Sequence, residues 1–160
     1  MSANPLLQRC LSLWTGLTDL LDNAQPLAAL LARGYVAEAF FRSGLTKIRD
    51  WGTTLALFSD EYKVPLLSPG VAAMMGTAGE LVLPVLLLLG LGGRFAALGL
   101  SVVNVVAVIS LSEIAPAALQ QHVTWGVLLA GLAVYGVGHW SLDGALLKPW
   151  LHRSGLSTSS

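Results

Sequence analysis

Charge is what this chain has least of. Only 11% of its 160 residues are Asp, Glu, Lys or Arg, while 54% are hydrophobic; soluble domains carry roughly 25% charged residues. That balance predicts a chain embedded in a membrane. Nine basic residues face nine acidic ones, so no polycationic surface is available for nucleic acid. The single cysteine, Cys10, excludes an intramolecular disulfide and a CxxC redox pair, and with them a disulfide-exchange enzyme acting alone. No P-loop, GxGxxG in a strand-helix context, HExxH or GxSxG is present, so standard nucleotide and hydrolase sites are not expected. His122 and His139 fall at opposite ends of one predicted helix, roughly 25 Å apart, too far to hold one metal or one haem. No metal site and no covalently bound cofactor is predicted. The N-terminus lacks a basic stretch followed by a short apolar run and a small-residue cleavage site, so no removable signal peptide is expected.

What is there is apolar and helical in period. A helix needs roughly 20 apolar residues to cross a bilayer core, and the spacing predicts four such spans: about Pro26 to Ile48, Pro69 to Leu91, Arg94 to Leu111 and Gln121 to Trp140. The first carries Arg33, Glu38, Arg42 and Lys47 and is the weakest by hydropathy. Before it, Leu6, Leu7, Cys10, Leu11, Leu13, Trp14, Leu17, Leu20 and Leu21 are assigned to one side of a helical wheel and Gln8, Arg9, Ser12, Thr15, Asp19 and Asp22 to the other. That pattern fits an amphipathic helix lying in the membrane interface, or an ordinary helix packed on the bundle. Asn23 to Pro26 is expected to break it, with Pro26 opening the next helix.

Arg49 to Ser68 is too short and mixed to cross, and is expected to lie over the bundle mouth as a helical turn or two. Ser141-Leu142-Asp143-Gly144 can cap a short terminal helix before a disordered tail. The predicted fold is therefore all-α: a four-transmembrane-helix bundle over residues 26–143, preceded by an amphipathic helix within 1–25 and followed by a short helix and tail over 144–160. The Lys and Arg distribution places both termini in the cytoplasm, with Trp51 and Trp125 at the outer interface and Trp14, Trp140 and Trp150 at the inner one.

Inside that bundle one residue stands out. Glu80 is the only charged residue between Lys63 and Arg94, and it falls near mid-membrane, where an ionisable group is a functional-site hypothesis by default. Counting along the spans brings Glu38, Glu80 and Asn104 to one depth, with Arg42, Ser43 and Thr77 close by. Pro84 removes its own donor and crowds the carbonyl of Glu80, so a kink and a small polar cavity are expected at the buried acid. Glu80 paired with Arg42 could serve only to pin two helices. Two acids and one arginine leave one carboxyl without an equal partner, and a protonatable acid beside a paired one suits proton or quinol chemistry.

The segment Arg33-Gly-Tyr-Val-Ala-Glu-Ala-Phe-Phe-Arg-Ser43-Gly44-Leu-Thr-Lys47, the acid in Ala78-Gly79-Glu80, the turn Leu89-Gly90-Leu91-Gly-Gly-Arg94 and the closing Gly136-Val-Gly138-His-Trp-Ser141-Leu142-Asp143 together resemble the DoxX family of membrane proteins. The resemblance implies a four-helix protein of the bacterial cytoplasmic membrane, related to the DoxD-like part of thiosulfate:quinone oxidoreductase. Its relatives are often associated with redox or stress systems and work beside other proteins, some of them beside systems that make metal-binding modified peptides. Arg33, Ser43, Gly44, Lys47, Glu80, Arg94, Ser141 and Asp143 are the positions carried by the resemblance; Glu38, Arg42, Thr77 and Asn104 rest on the depth argument.

Two functions follow. One is an accessory subunit of a redox or metal-stress system, in which Glu80, Arg42 and Glu38 bind a quinone headgroup or relay a proton; catalytic residues are not assigned, and electrons would come through a partner. The other is a non-enzymatic scaffold or passage element for a metal-binding modified peptide or a membrane partner protein. A homo-oligomer is compatible with either.

Overall fold

The computed structural model describes residues 5–147. Among these there are helices and no strand: α1 (Pro5–Arg49), α2 (Trp51–Asp60), α3 (Pro69–Leu89), α4 (Gly93–Ser110), α5 (Pro116–Tyr135) and one wide helical turn, Asp143–Leu147. Local chemistry sets most boundaries. The Asp50 carboxylate accepts from the Thr53 N–H at 3.0 Å and the Thr53 hydroxyl at 2.7 Å, starting α2. Both bonds hold the Asp50 carboxyl below the usual carboxylate range, the backbone bond more strongly. Pro69 and Pro116 open α3 and α5 at the first helical position, where a missing N–H costs nothing.

Helix α3 ends at Gly90 in the left-handed conformation, φ 67°. Only glycine fits there for a second reason. A Cβ at Gly90 would collide with Ser141 and with the Arg33 guanidinium 2.5 Å away.

The helices pack in a ring: α1 on α3, α3 on α4, α4 on α5, and α5 back on α1 through a narrower contact, with α2 lying on α3 and α1. The core between them is built from Val36, Phe40, Leu87, Leu100, Leu129 and Leu132, with Ala96 and Ala97 letting α4 approach closely. A smaller cluster of Phe58, Ala72 and Ala73 seats α2. The outward faces are apolar too, with Val82, Leu98, Val102 and Val127 all exposed. An apolar exterior of this extent is stable against lipid, not water. Helices α3, α4 and α5 are each long and apolar enough to cross a membrane.

Several expectations change. No break occurs at Asn23 to Pro26; α1 is one helix of 45 residues with Pro26 inside it. A helix can absorb a proline at the loss of one hydrogen bond when its neighbours keep theirs. The last span starts at Pro116 and ends at Tyr135, earlier than hydropathy suggested, because Gly136 turns the chain at φ 88°. The connection after α1 is a full ten-residue helix. Ser141 does cap the terminal turn, accepting from the Gly144 N–H at 3.1 Å, but Asp143 caps α4 instead. The predicted tail, with Lys148, Trp150 and Arg153, lies outside the described residues.

Candidate functional site: an ion pair inside the bundle

Glu80 lies midway along α3 and is buried. Its Oε2 meets the Lys47 ammonium at 2.5 Å, with side-chain exposures of 9% and 19%. Lys47 also donates to Ser43 Oγ at 3.0 Å. The geometry follows from helix direction. Side chains lean toward the N-terminus of their own helix, so Lys47, near the end of α1, bends back over Ser43 and reaches the acid. Gly44 makes the approach close, since a Cβ there would come within 2.9 Å of Leu81 and 3.1 Å of the Glu80 Cβ.

Other polar groups of the bundle are unevenly satisfied. Thr77, one turn before Glu80 on the same face, is 4% exposed and its hydroxyl has no hydrogen-bond partner. Asn104 is buried on α4 and bound to α5: its Nδ2 donates to the His122 carbonyl at 2.9 Å, and its Oδ1 lies 2.7 Å from His122 Nδ1. The amide orientation makes Oδ1 an acceptor, which puts the imidazole proton on Nδ1. His122 packs edge-on to Trp125, which packs edge-on to Phe40 of α1. Trp125 Nε1 is buried without a partner.

On the α2 side, the Thr54 hydroxyl donates to the Lys47 carbonyl at 2.9 Å. Tyr62, its ring tilted against that of Phe58 at 5.0 Å between centroids, lines a hollow of 150 Å³ with Lys63 and Ala72. Burial pushes the Tyr62 phenol up from its ordinary value, with smaller contributions from the charges of Glu61 and Glu80.

Glu38 and Arg42 are not part of this site. They pair with each other at 2.6 Å on the outside of α1, 60% and 78% exposed. The residue of α1 that lies level with Glu80 is Gly44 and not Glu38, so the depth count missed, and azimuth missed too: at about 100° per residue, Glu38 lies about 180° around α1 from Lys47. The partner of Glu80 is therefore Lys47, a position the family resemblance carried but the depth count passed over because its Cα sits a turn too high. The signal for His122 was its spacing to Asn104 across the α4–α5 hairpin, invisible without the turn length.

The opposite end of the bundle holds a second set of charges. Arg33 is fully buried and donates to the Leu88 carbonyl at 3.3 Å and the Trp140 carbonyl at 2.5 Å; its Nε has no partner. A cation thus sits at the carbonyl end of α3. The Asp143 carboxylate accepts from the Gly92 and Gly93 N–H groups at 3.0 and 2.9 Å, an anion at the amide end of α4. Each charge opposes a helix dipole of the right sign. Arg94 reaches the Val134 carbonyl at 3.4 Å and lines a cavity of 410 Å³ with Tyr135, His139, Ser141 and Asp143. The larger cavity thus lies away from Glu80.

Three apolar helices of bilayer length define a multi-pass membrane protein. The sequence model of the DoxX family matches residues 28–113, more than half of the chain, and the chain belongs to the DoxX family. No curated protein and no solved structure matches it. The matched stretch contains Arg33, Ser43, Gly44, Lys47, Glu80 and Arg94, and ends before α5 and the closing Ser141 and Asp143.

Proposed function

We propose that α1 crosses the bilayer from Pro26 to Ile48 as a fourth span, and that the Lys47–Glu80 pair is a proton-exchanging or quinone-headgroup site in an accessory subunit of a redox or metal-stress system. The setting is the bacterial cytoplasmic membrane with both termini inside. The fourth span is supported by the packing of α1 along α3, from Arg33 at the Leu88 carbonyl to Gly44 against Glu80. A helix seated along a bilayer-crossing neighbour shares its depth, and its charged groups can be carried there when they face protein.

The observation that carries the site is the buried pair beside an unpartnered hydroxyl. Lys47 and Thr77 offer donors to a quinone carbonyl, and Glu80 offers an acceptor for a hydroxyl proton. Those residues fit such a headgroup, which would supply the redox chemistry when bound. One cysteine provides no dithiol, so electrons pass through a partner protein.

Quinone binding by the purified protein, with and without Glu80→Gln, tests this reading. Loss of binding in the variant is expected; unchanged binding together with unchanged proton uptake removes the proposal. The scaffold reading is favoured by one feature, the exposed apolar side chains of α1 before Pro26. Co-purification of a partner from native membranes that depends on residues 5–22 would support it over the ion-pair site.

A further inference from the structure

We infer that α1 pairs with α1 of a second copy of this chain, side by side and parallel, through a seam that runs nearly its whole length. On the uninterrupted 45-residue helix, Leu6, Leu13, Leu20, Leu27, Gly34 and Phe41 recur every seven residues. Four residues after each of the first five come Cys10, Leu17, Ala24, Leu31 and Glu38. This is the a/d spacing of a coiled coil held over five heptads. A straight helix drifts about 20° per heptad, so such a row stays in line only when the helix winds around a neighbour. The row is on the outside of the protomer: Leu13 is 75% and Leu31 65% exposed, while Arg33, Val36 and Phe40 fill the bundle-facing side.

A second observation points to the same face. The Glu38–Arg42 pair lies on α1 between the Arg33 and Gly44 contacts with α3, hence inside the bilayer on the reading of α1 as a span, yet it is turned away from its own bundle. Ionic groups at that depth belong against protein. A covering helix removes them from lipid, and one polar a position is the device that fixes register in a coiled coil. Gly34 stands one turn before Glu38 in the row, and a Cβ there would meet nothing within 4 Å in its own chain. That notch admits the backbone of a neighbouring helix.

The occupant is another copy because copies inserted in one membrane share orientation. Their rows then meet leucine to leucine about a two-fold axis. The Glu38–Arg42 patch, neutral in sum, meets itself without net charge.

Cys10, the only cysteine and an exposed one, reports on the seam directly. In membranes treated with an oxidant, native Cys10 should give a disulfide-linked dimer, as should Cys10→Ser combined with Leu13→Cys. Cys10→Ser combined with Ser12→Cys, which points away from the seam, should link several-fold less. Gly34→Leu, for which the protomer has room, should lower linkage through Cys10 several-fold by prying the helices apart. Equal linkage through Ser12→Cys, no linkage through either seam position, or linkage indifferent to Gly34→Leu would overturn the pairing. Glu80→Gln should leave linkage unchanged, so failure of the ion-pair site and failure of the seam are read separately.

Discussion

The two ends of the bundle use charge in opposite ways. Around the α3–α4 turn, Arg33 and Asp143 are spent on backbone: the cation on carbonyls at the end of α3 and at Trp140, the anion on amides at the start of α4. Near α2, Lys47 and Glu80 are spent on each other. Backbone partners cannot move away or change protonation, so the first pair is a staple. Side-chain partners can do both, which is why the proposed chemistry is assigned to the second. The difference teaches that burial of an ionisable group in a membrane is not by itself a sign of function; what the group is bonded to decides.

That contrast can be broken most severely at the staple. Arg33→Leu should destabilise the protein by about 3 kcal/mol, because the Leu88 and Trp140 carbonyls lose a charged donor while buried. Thermal unfolding in detergent measures it, and a loss under about 1 kcal/mol would mean the carbonyls find other donors. Asp143→Asn should cost less, about 1 kcal/mol, since the amide can still cap α4 but the charge opposite its dipole is gone. Neither variant should alter quinone binding.

The smallest effect sharpens the other end. Tyr62 has its phenol raised by burial, then by the negative charges of Glu61 and Glu80. A folded-state value above the unfolded one means the associated stability is present below the ordinary tyrosine range and is lost as pH rises through the folded value. Ultraviolet titration should show one tyrosine ionising later than the others. Glu80→Gln should bring it slightly back toward the ordinary value, and no movement would mean that Glu80 carries no charge felt at Tyr62.

Much of this was legible from residue patterns. The apolar run opened by Pro69 announced α3 because span length and proline chemistry are local properties, whereas the start of α5 at Pro116 was placed five residues late, at Gln121. Glu80 announced itself because nothing else charged shares its run. The partner of that acid was not legible by depth alone, because a lysine side chain leans a full turn along its helix and because azimuth around α1 separates Lys47 from Glu38 and Arg42. Asp143 was expected to cap its own helix and instead caps α4, an interaction across 50 residues that no local pattern encodes. The unbroken α1 was missed for a related reason: Pro26 is a strong local stop signal, and the leucines that recur every seven residues on both sides of it are a longer-range one.

The most direct measurement is a double-mutant cycle between the Lys47 and Glu80 side chains, read as unfolding free energy in a membrane-mimicking detergent. Lys47→Met alone should cost about 3 kcal/mol by stranding the Glu80 carboxylate, and adding Glu80→Leu should recover most of that loss. A coupling of that size stands well above the roughly 0.6 kcal/mol typical of interhelical polar contacts in bilayers. Strictly additive losses from the two substitutions would contradict an ion pair at the centre of this protein.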